Sequence, residues 1–237
     1  MTNQLYSLDS YVKEFDAKII DIIPEENTVI LDQTAFYPGG GGQPNDTGIL
    51  RLQDKALPVI KVKKFGTDIL HIIDGPIPEK GKPIFGRIDW DRRFALMRTH
   101  SALHILCGVV WRDYGAQVTG GNMEPLRGRL DFEFESLQAE LIHEIEEKIN
   151  VEVKNARPVK IKILPREEAF KIPDLIRTKI NLLPESLKEI RTVEIEGLDL
   201  QADGGTHVGN TIEVGRITIS KYKSKGKINK RIEISLE

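Results

Sequence analysis

The stretch DWDRRFALMRTHSALHILCGVVWRDYG, residues 89–115, decides how the chain is read. It has no proline, no glycine inside it before Gly108, and apolar residues on most of its sides. That pattern predicts a long, largely buried α-helix with Asp89 as its N-cap. The sequence before it has a different texture. AKIIDIIPEENTVILD (17–32) reads as two strands about a turn at 24–27. GILRLQDKALPVIKVKKF (48–65) and DILHIIDG (68–75) read as further strands, and GPIPEKGKP (75–83) as a turn cluster. Short strands at this spacing suggest a small barrel or sandwich over residues 1–88.

Beyond the helix, strands and helices mix. RGRLDFEF (127–134) is a strand, and Ser136 is expected to cap a second helix with the stripe Leu137, Leu141, Ile145 and Ile149. PVKIKILP (158–165) and TVEIEG (192–197) read as strands, with a short helix at 166–170 between them. Strands at 211–222 and 230–236 close the chain as a hairpin. The expected fold class is α+β, with a second domain over 89–237 that packs the long helix on a mostly antiparallel sheet.

Composition narrows the function. The 237 residues are 40% hydrophobic and 30% charged, with a net charge of −2. That balance argues against a blanket nucleic-acid coat but permits a local basic patch. KYKSKGKINKR (221–231) is such a patch; Lys221, Lys223, Lys225, Lys227, Lys230 and Arg231 are its cations, and it has no acid. Taken alone, the patch is better explained as a solvated hairpin with a charged edge. No segment approaches the roughly 20 apolar residues that span a bilayer. The N-terminus lacks the features of a signal peptide. The lone Cys107 excludes an intrachain disulfide and fits a reducing cytoplasm.

Two arrangements use three of the five histidines. THSALH places His100 and His104 four residues apart, on one helical face and close enough to share an ion. A metalloprotease helix carries Glu after the first histidine as general base; here that residue is Ser101, so the protease reading fails. QADGGTHVGN (201–210) places Asp203 and His207 around a Gly204–Gly205 hinge that lets the backbone turn sharply. Three imidazoles and one carboxylate oxygen suit four-coordinate Zn²⁺. Asp203 is equally consistent with a turn aspartate bonding its own backbone. A further motif, TAFYPGGGGQPNDTG (34–48), is neither a P-loop nor a dinucleotide fingerprint. Its glycines offer bare backbone that a ligand can approach.

Together these motifs resemble the AlaX family of alanyl-tRNA editing proteins, relatives of the editing domain of alanyl-tRNA synthetase. The resemblance rests on Thr34, Phe36, Tyr37, Pro38, Gly39 to Gly42, Gln43, Asp46 and Gly48. It continues with Arg93, His100, Ser101, Ala102 and His104, and then with Gly204, Gly205, Thr206 and His207. It runs over nearly the whole chain, and the glycine run points to the medium-length class, whose editing domain follows an N-terminal β-barrel. One residue departs from the pattern: the family commonly has Cys where this chain has Asp203. Aspartate keeps the formal charge but is a harder, weaker donor, so a weaker site, or one where Asp203 yields to water, is expected.

The resemblance implies a cytoplasmic hydrolase that removes serine, or glycine, from mischarged tRNA(Ala) at a zinc site. It implies His100, His104, Asp203 and His207 as metal ligands, and Thr34, Gly40, Gly41, Gly42 and Gln43 as substrate contacts. Thr34 is the expected reader of the serine hydroxyl, and the cations at 221–231 are expected to meet tRNA phosphates. The alternatives are a zinc-stabilised RNA-binding module and a metal-dependent esterase of small molecules.

Overall fold

The computed structural model describes every residue except 137, 179–182 and 186. The described residues form two compact units, Met1–Phe94 and Ala95–Glu237. In the first, β1 (Asn3–Gln4) lies beside the barrel, and β2 (Glu14–Ile23) alternates as a half-buried strand must: Phe15 and Ile19 are buried, Glu14 and Lys18 exposed. The chain reverses through Pro24–Glu26, where Asn27 takes a left-handed φ of 47°, into β3 (Thr28–Leu31). After β4 (Gln33–Thr34), which pairs with β1, come β5 (Gly48–Leu52), β6 (Lys55–Phe65) and β7 (Asp68–Ile73). The structure adds β8 (Pro83–Ile88), which follows the turn cluster. Its leading proline and its Gly86 disguise it in the sequence. Gly86 is there because a Cβ would lie 2.3 Å from the Phe15 ring.

These strands close as an antiparallel barrel in the order β2-β3-β7-β6-β5-β8, so no hydrogen-bonding edge is left open among them. Phe15, Ile19, Leu31, Phe36, Leu50 and Ile69 are among the side chains that fill it. His71 sits among them, fully buried, at the inward register of Ile69 and Ile73. Its Nδ1 faces the Val29 carbonyl at 3.1 Å and its Nε2 faces Thr34 Oγ1 at 2.8 Å. A carbonyl only accepts, so Nδ1 carries the proton and Nε2 takes the Thr34 hydroxyl proton. Burial holds His71 down to a pKa of about 4, well below the usual 6.5.

The first turn of α1 (Trp90–Tyr114) anchors the glycine-rich loop. Asp89 Oδ1 accepts the Arg92 N–H at 3.2 Å, the expected N-cap. Arg93 is completely buried, and so is its partner Asp46. The guanidinium reaches both carboxylate oxygens, and also the carbonyls of Ser10 and Ala35. Asp46 Oδ2 accepts the Tyr37 N–H as well, at 2.7 Å. The loop between them closes on itself through Gly40 and Gln43, whose backbones exchange bonds of 3.0 and 2.9 Å. Gly39, Gly40, Gly41 and Gly42 all have positive φ. Four consecutive left-handed residues are open only to glycine, so the run is a conformational requirement.

The second unit holds the rest of α1, an antiparallel sheet of four strands and another of three. The larger pairs β9 (Val118–Glu124) with β10 (Arg127–Glu133), and β10 with β15 (Asn229–Leu236), which pairs with β14 (Ile217–Ser224). Leu103 of α1 packs directly over Gly128 of β10. The smaller sheet is β11 (Val159–Pro165), β12 (Glu189–Ile195) and β13 (Asp199–Ala202).

Three local expectations change. Helix α2 (Ala139–Lys154) is N-capped by Gln138, without a side-chain bond, rather than by Ser136. Its buried stripe is Ile142, Ile145, Ile149 and Val153; Leu141 is half-buried and Leu137 lies outside the described residues. Residues 211–214 form a 3₁₀ turn, not the start of a strand. Asn210 accepts the Ile212 N–H while Glu213 accepts the Asn210 N–H, a capping box that overrides the β-branched composition. A helix α3 (Arg166–Ala169) follows β11 as the sequence predicts.

Two predictions follow from the barrel unit. Asp46→Asn leaves the Arg93 guanidinium buried without its counter-charge and lowers the unfolding free energy by about 3–5 kcal/mol in a urea titration. For His71, the folded pKa is depressed, so the folded state binds fewer protons than the unfolded chain. Its stabilising share is intact above pH 6.5 and is lost as pH falls toward 4, amounting to about 3 kcal/mol. The His71 ring resonances should titrate near pH 4, and the pH slope of stability over that window should flatten in His71→Gln.

Candidate metal centre

Helical periodicity puts His100 and His104 on one side of α1, with ring centroids 5.1 Å apart. The third imidazole arrives from the turn that follows β13. The Asp203 N–H bonds the Arg191 carbonyl at 3.1 Å, and Arg191 returns a bond from Nη1 to the Asp203 carbonyl at 2.9 Å. Asp203 Oδ2 accepts the Gly205 N–H at 2.7 Å, folding the glycine hinge. Val208 N–H then bonds Ser101 Oγ of α1 at 3.2 Å, which ties the hinge to the helix. His207 comes to rest with its ring centroid 4.2 Å from that of His100 and 4.7 Å from that of His104. Asp203 thus has both roles considered for it: it shapes the turn with its own backbone and it faces the imidazoles.

The donor atoms of His100, His104, Asp203 and His207 all lie within 4.8 Å of one another, and the three histidines are buried. Asp203 Oδ1 is 3.4 Å from His100 Nε2, and Oδ2 is 3.0 Å from His207 Nε2. A tetrahedral ion with bonds of about 2.05 Å sets its ligand atoms about 3.3 Å apart. The two Asp203 separations bracket that spacing, and the three-nitrogen, one-oxygen set suits a divalent cation in its chemistry.

The electrostatics suit ligands in waiting. Burial lowers His100 to a pKa of about 4. Burial and the neighbouring His100 put His207 well below its usual value. Both rings are therefore neutral at physiological pH, with lone pairs available. Burial pushes the Asp203 carboxyl up, but the facing imidazoles, His100 and His207 foremost, outweigh it and hold the group well below the carboxylate range. His104 differs: burial lowers it, yet the hydrogen bond and charge of Asp199 raise it above the usual histidine value. His104 Nδ1 lies 3.1 Å from Asp199 Oδ2, which also accepts Gln201 Nε2–H at 2.7 Å. Ser101 Oγ lies 3.2 Å from His207 Nδ1.

Asp199 and Ser101 are the neighbours of the centre to which sequence reading gives no place there. Ser101 enters that reading as the residue that rules out a protease and as part of the family motif; in the structure it contacts both His207 and the hinge. Asp199 opens a strand of only four residues, too short for a pattern to announce.

The remaining candidates are on other elements. Thr34 and the glycine run belong to the barrel unit. Thr34 is fully buried, and its oxygen accepts the Phe36 N–H at 3.1 Å while its proton goes to His71. Gly40, Gly41 and Gly42 are exposed and Gln43 is buried. In the closing hairpin Lys221, Lys223, Lys225 and Lys227 are exposed. Lys230 is buried with Nζ on the carbonyls of Gly226 and Lys227, at 2.8 and 2.9 Å. Arg231 forms a forked pair with Asp131 at 2.7 and 2.8 Å. Those two cations are engaged in holding the hairpin.

A family described as "tRNA synthetases class II (A)" matches residues 5–92, and one described as "Threonyl and Alanyl tRNA synthetase second additional domain" matches residues 190–233. The chain is 44% identical to the alanyl-tRNA editing protein AlaX-M of Saccharolobus solfataricus, over 98% of both chains. It is 39% identical to the AlaX-M protein of Methanosarcina barkeri, over 100% of this chain and 99% of that one. The alanine–tRNA ligase of Pyrobaculum aerophilum is 40% identical over 94% of this chain, but only 25% of the ligase is covered.

The centre predicts a graded response to ligand loss. Metal analysis of purified protein should find one divalent ion per chain. His207→Ala should retain none. Asp203→Ala should bind more weakly but still measurably, with three imidazoles in place.

Proposed function

This chain belongs to the AlaX family of alanyl-tRNA editing proteins, and from that membership we propose that it is a trans-acting aminoacyl-tRNA deacylase. Its substrate in this reading is tRNA(Ala) carrying serine, with glycine as the second mischarged amino acid. The observation that carries the reading is the cluster of three buried imidazoles and Asp203, in a chain aligned end to end with editing proteins.

The donor set favours Zn²⁺. Zinc held there would supply Lewis-acid chemistry, either by orienting the aminoacyl ester or by making an attacking water more acidic. The chain's own residues prepare the centre. Burial keeps His100 and His207 unprotonated. Asp203 supplies the negative charge, and the hinge bonds to Arg191 and Ser101 keep its side chain and that of His207 facing α1.

The logic of a second site follows from what a synthetase pocket can do. A pocket built for alanine rejects small near-isosteres weakly, so errors must be removed by a site that reads what alanine lacks. Thr34 suits that task by polarity. Its proton is committed to His71, so its oxygen acts toward any ligand as an acceptor, the partner a serine hydroxyl needs. Gly40, Gly41 and Gly42 offer exposed backbone for close approach by the aminoacyl-adenosine end, with Gln43 closing their loop. The exposed lysines 221, 223, 225 and 227 are the proposed phosphate contacts, and such contacts weaken with salt.

Incubation with Ser-tRNA(Ala) and Ala-tRNA(Ala) tests this reading. Serine should be released selectively, and Thr34→Val should reduce the preference by about 10–100-fold, the worth of one hydrogen bond. Reversing the four lysine charges should weaken binding and flatten its salt dependence. Binding without release of serine overturns the hydrolase reading, and inertness to both tRNAs overturns the tRNA reading.

A further inference from the structure

The structure assigns Asp199 as a positioning residue of the metal centre: it holds the Nδ1–H of His104 and thereby leaves Nε2 as that ring's ligand atom. The inference rests on the metal reading given above and adds a residue that is not itself a ligand.

Four observations support it. The Asp199 side chain is completely buried, and its Oδ2 lies 3.1 Å from His104 Nδ1. A carboxylate can only accept there, so the shared proton belongs to the ring, and a ring protonated at Nδ1 coordinates through Nε2. Second, Asp199 is itself fixed. Gln201 Nε2 donates to the same oxygen at 2.7 Å, and Arg177 Nε faces the other at 3.5 Å. Third, α1 has a single interior glycine, Gly108, one turn after His104, and it lies where the helix meets this carboxylate. A Cβ there would sit 3.0 Å from Asp199 Cβ and 3.0 Å from Leu198 Cγ. The helix can approach β13 this closely because position 108 has no side chain. Fourth, this carboxylate is distinct from the ligand carboxylate: Asp203 faces His100 and His207, and His207 Nδ1 faces the Ser101 hydroxyl.

Such an outer carboxylate fixes the tautomer and orientation of a metal-bound imidazole and makes it a better donor. This matters here because Asp203 is a weaker ligand than a thiolate, which leaves more of the binding to the imidazoles.

The test uses the full chain, zinc and no tRNA. Long-range proton–nitrogen NMR of the zinc-loaded protein should show His104 protonated at Nδ1 and metal-bound at Nε2; coordination through Nδ1 overturns the inference without any variant. Asp199→Asn keeps the shape and removes the charge. Competition against a chromophoric chelator should show its zinc affinity reduced by about 10–100-fold, with the ring nitrogen shifts of His104 displaced and those of His100 and His207 retained. Unchanged affinity in a folded Asp199→Asn protein overturns the inference alone. Failure of the unaltered protein to bind zinc overturns the metal reading, and this inference with it.

Discussion

Three imidazoles and a carboxylate are pressed into a few ångströms of protein interior, and the second unit is organised around making that tolerable. Imidazoles stripped of water lose the hydrogen bonds of both ring nitrogens unless something replaces them. Here the replacements are explicit. Asp199 takes the back of His104 and Ser101 the back of His207, while Asp203 faces His100 and His207. The inward-facing lone pairs are what a shared cation would satisfy. The same burial that would penalise protonated histidines keeps two of them neutral, so the cost of burying the cluster and its readiness for a metal have one origin.

The barrel unit solves a similar problem differently. Arg93 and Asp46 are charges taken wholly out of water, an arrangement that rarely adds stability compared with apolar packing but fixes geometry strongly. Five acceptor contacts, including three on one carboxylate, define where the first turn of α1 meets the loop after Tyr37. Around that fixed point the chain can afford four glycines with positive φ, because the loop ends are held by Asp46 and Tyr37. The family motifs therefore divide by role. Arg93 and Asp46 are architectural, as are the glycines in their backbone angles, whereas the histidines gather at the candidate metal centre.

Asp203 shows how one side chain can serve both ends. Its Oδ2 accepts the Gly205 N–H and also faces His207, so the turn that presents the imidazole is braced by the carboxylate that stands beside it. A thiolate at this position would be a stronger metal donor and a poorer acceptor for a backbone N–H. Oxygen in place of sulfur suits the hinge, and it would leave more of a bound cation's affinity to the histidines and their outer partners.

The sequence by itself determined the long buried helix, most strands of the barrel, and the four-residue spacing that puts His100 beside His104. These are properties of local sterics and periodicity, legible within about a dozen residues. It was silent where an element is short or glycine-bearing: β8 opens on proline and carries Gly86, β9 carries Gly120 and Gly121, and β13 has four residues. Their strand state comes from partners, not propensity. His71 had left a trace, as the one polar residue in the inward register of a buried strand, but its link to Thr34 spans 37 positions. Tertiary structure alone decided that Asp199 backs His104 across 95 positions, that Ser101 meets His207 across 106, and that Lys230 and Arg231 are engaged by the hairpin while Lys221, Lys223, Lys225 and Lys227 face water. The reason is physical: a hydrogen bond depends on where two side chains end up in space, and the pattern of either segment constrains only its own shape.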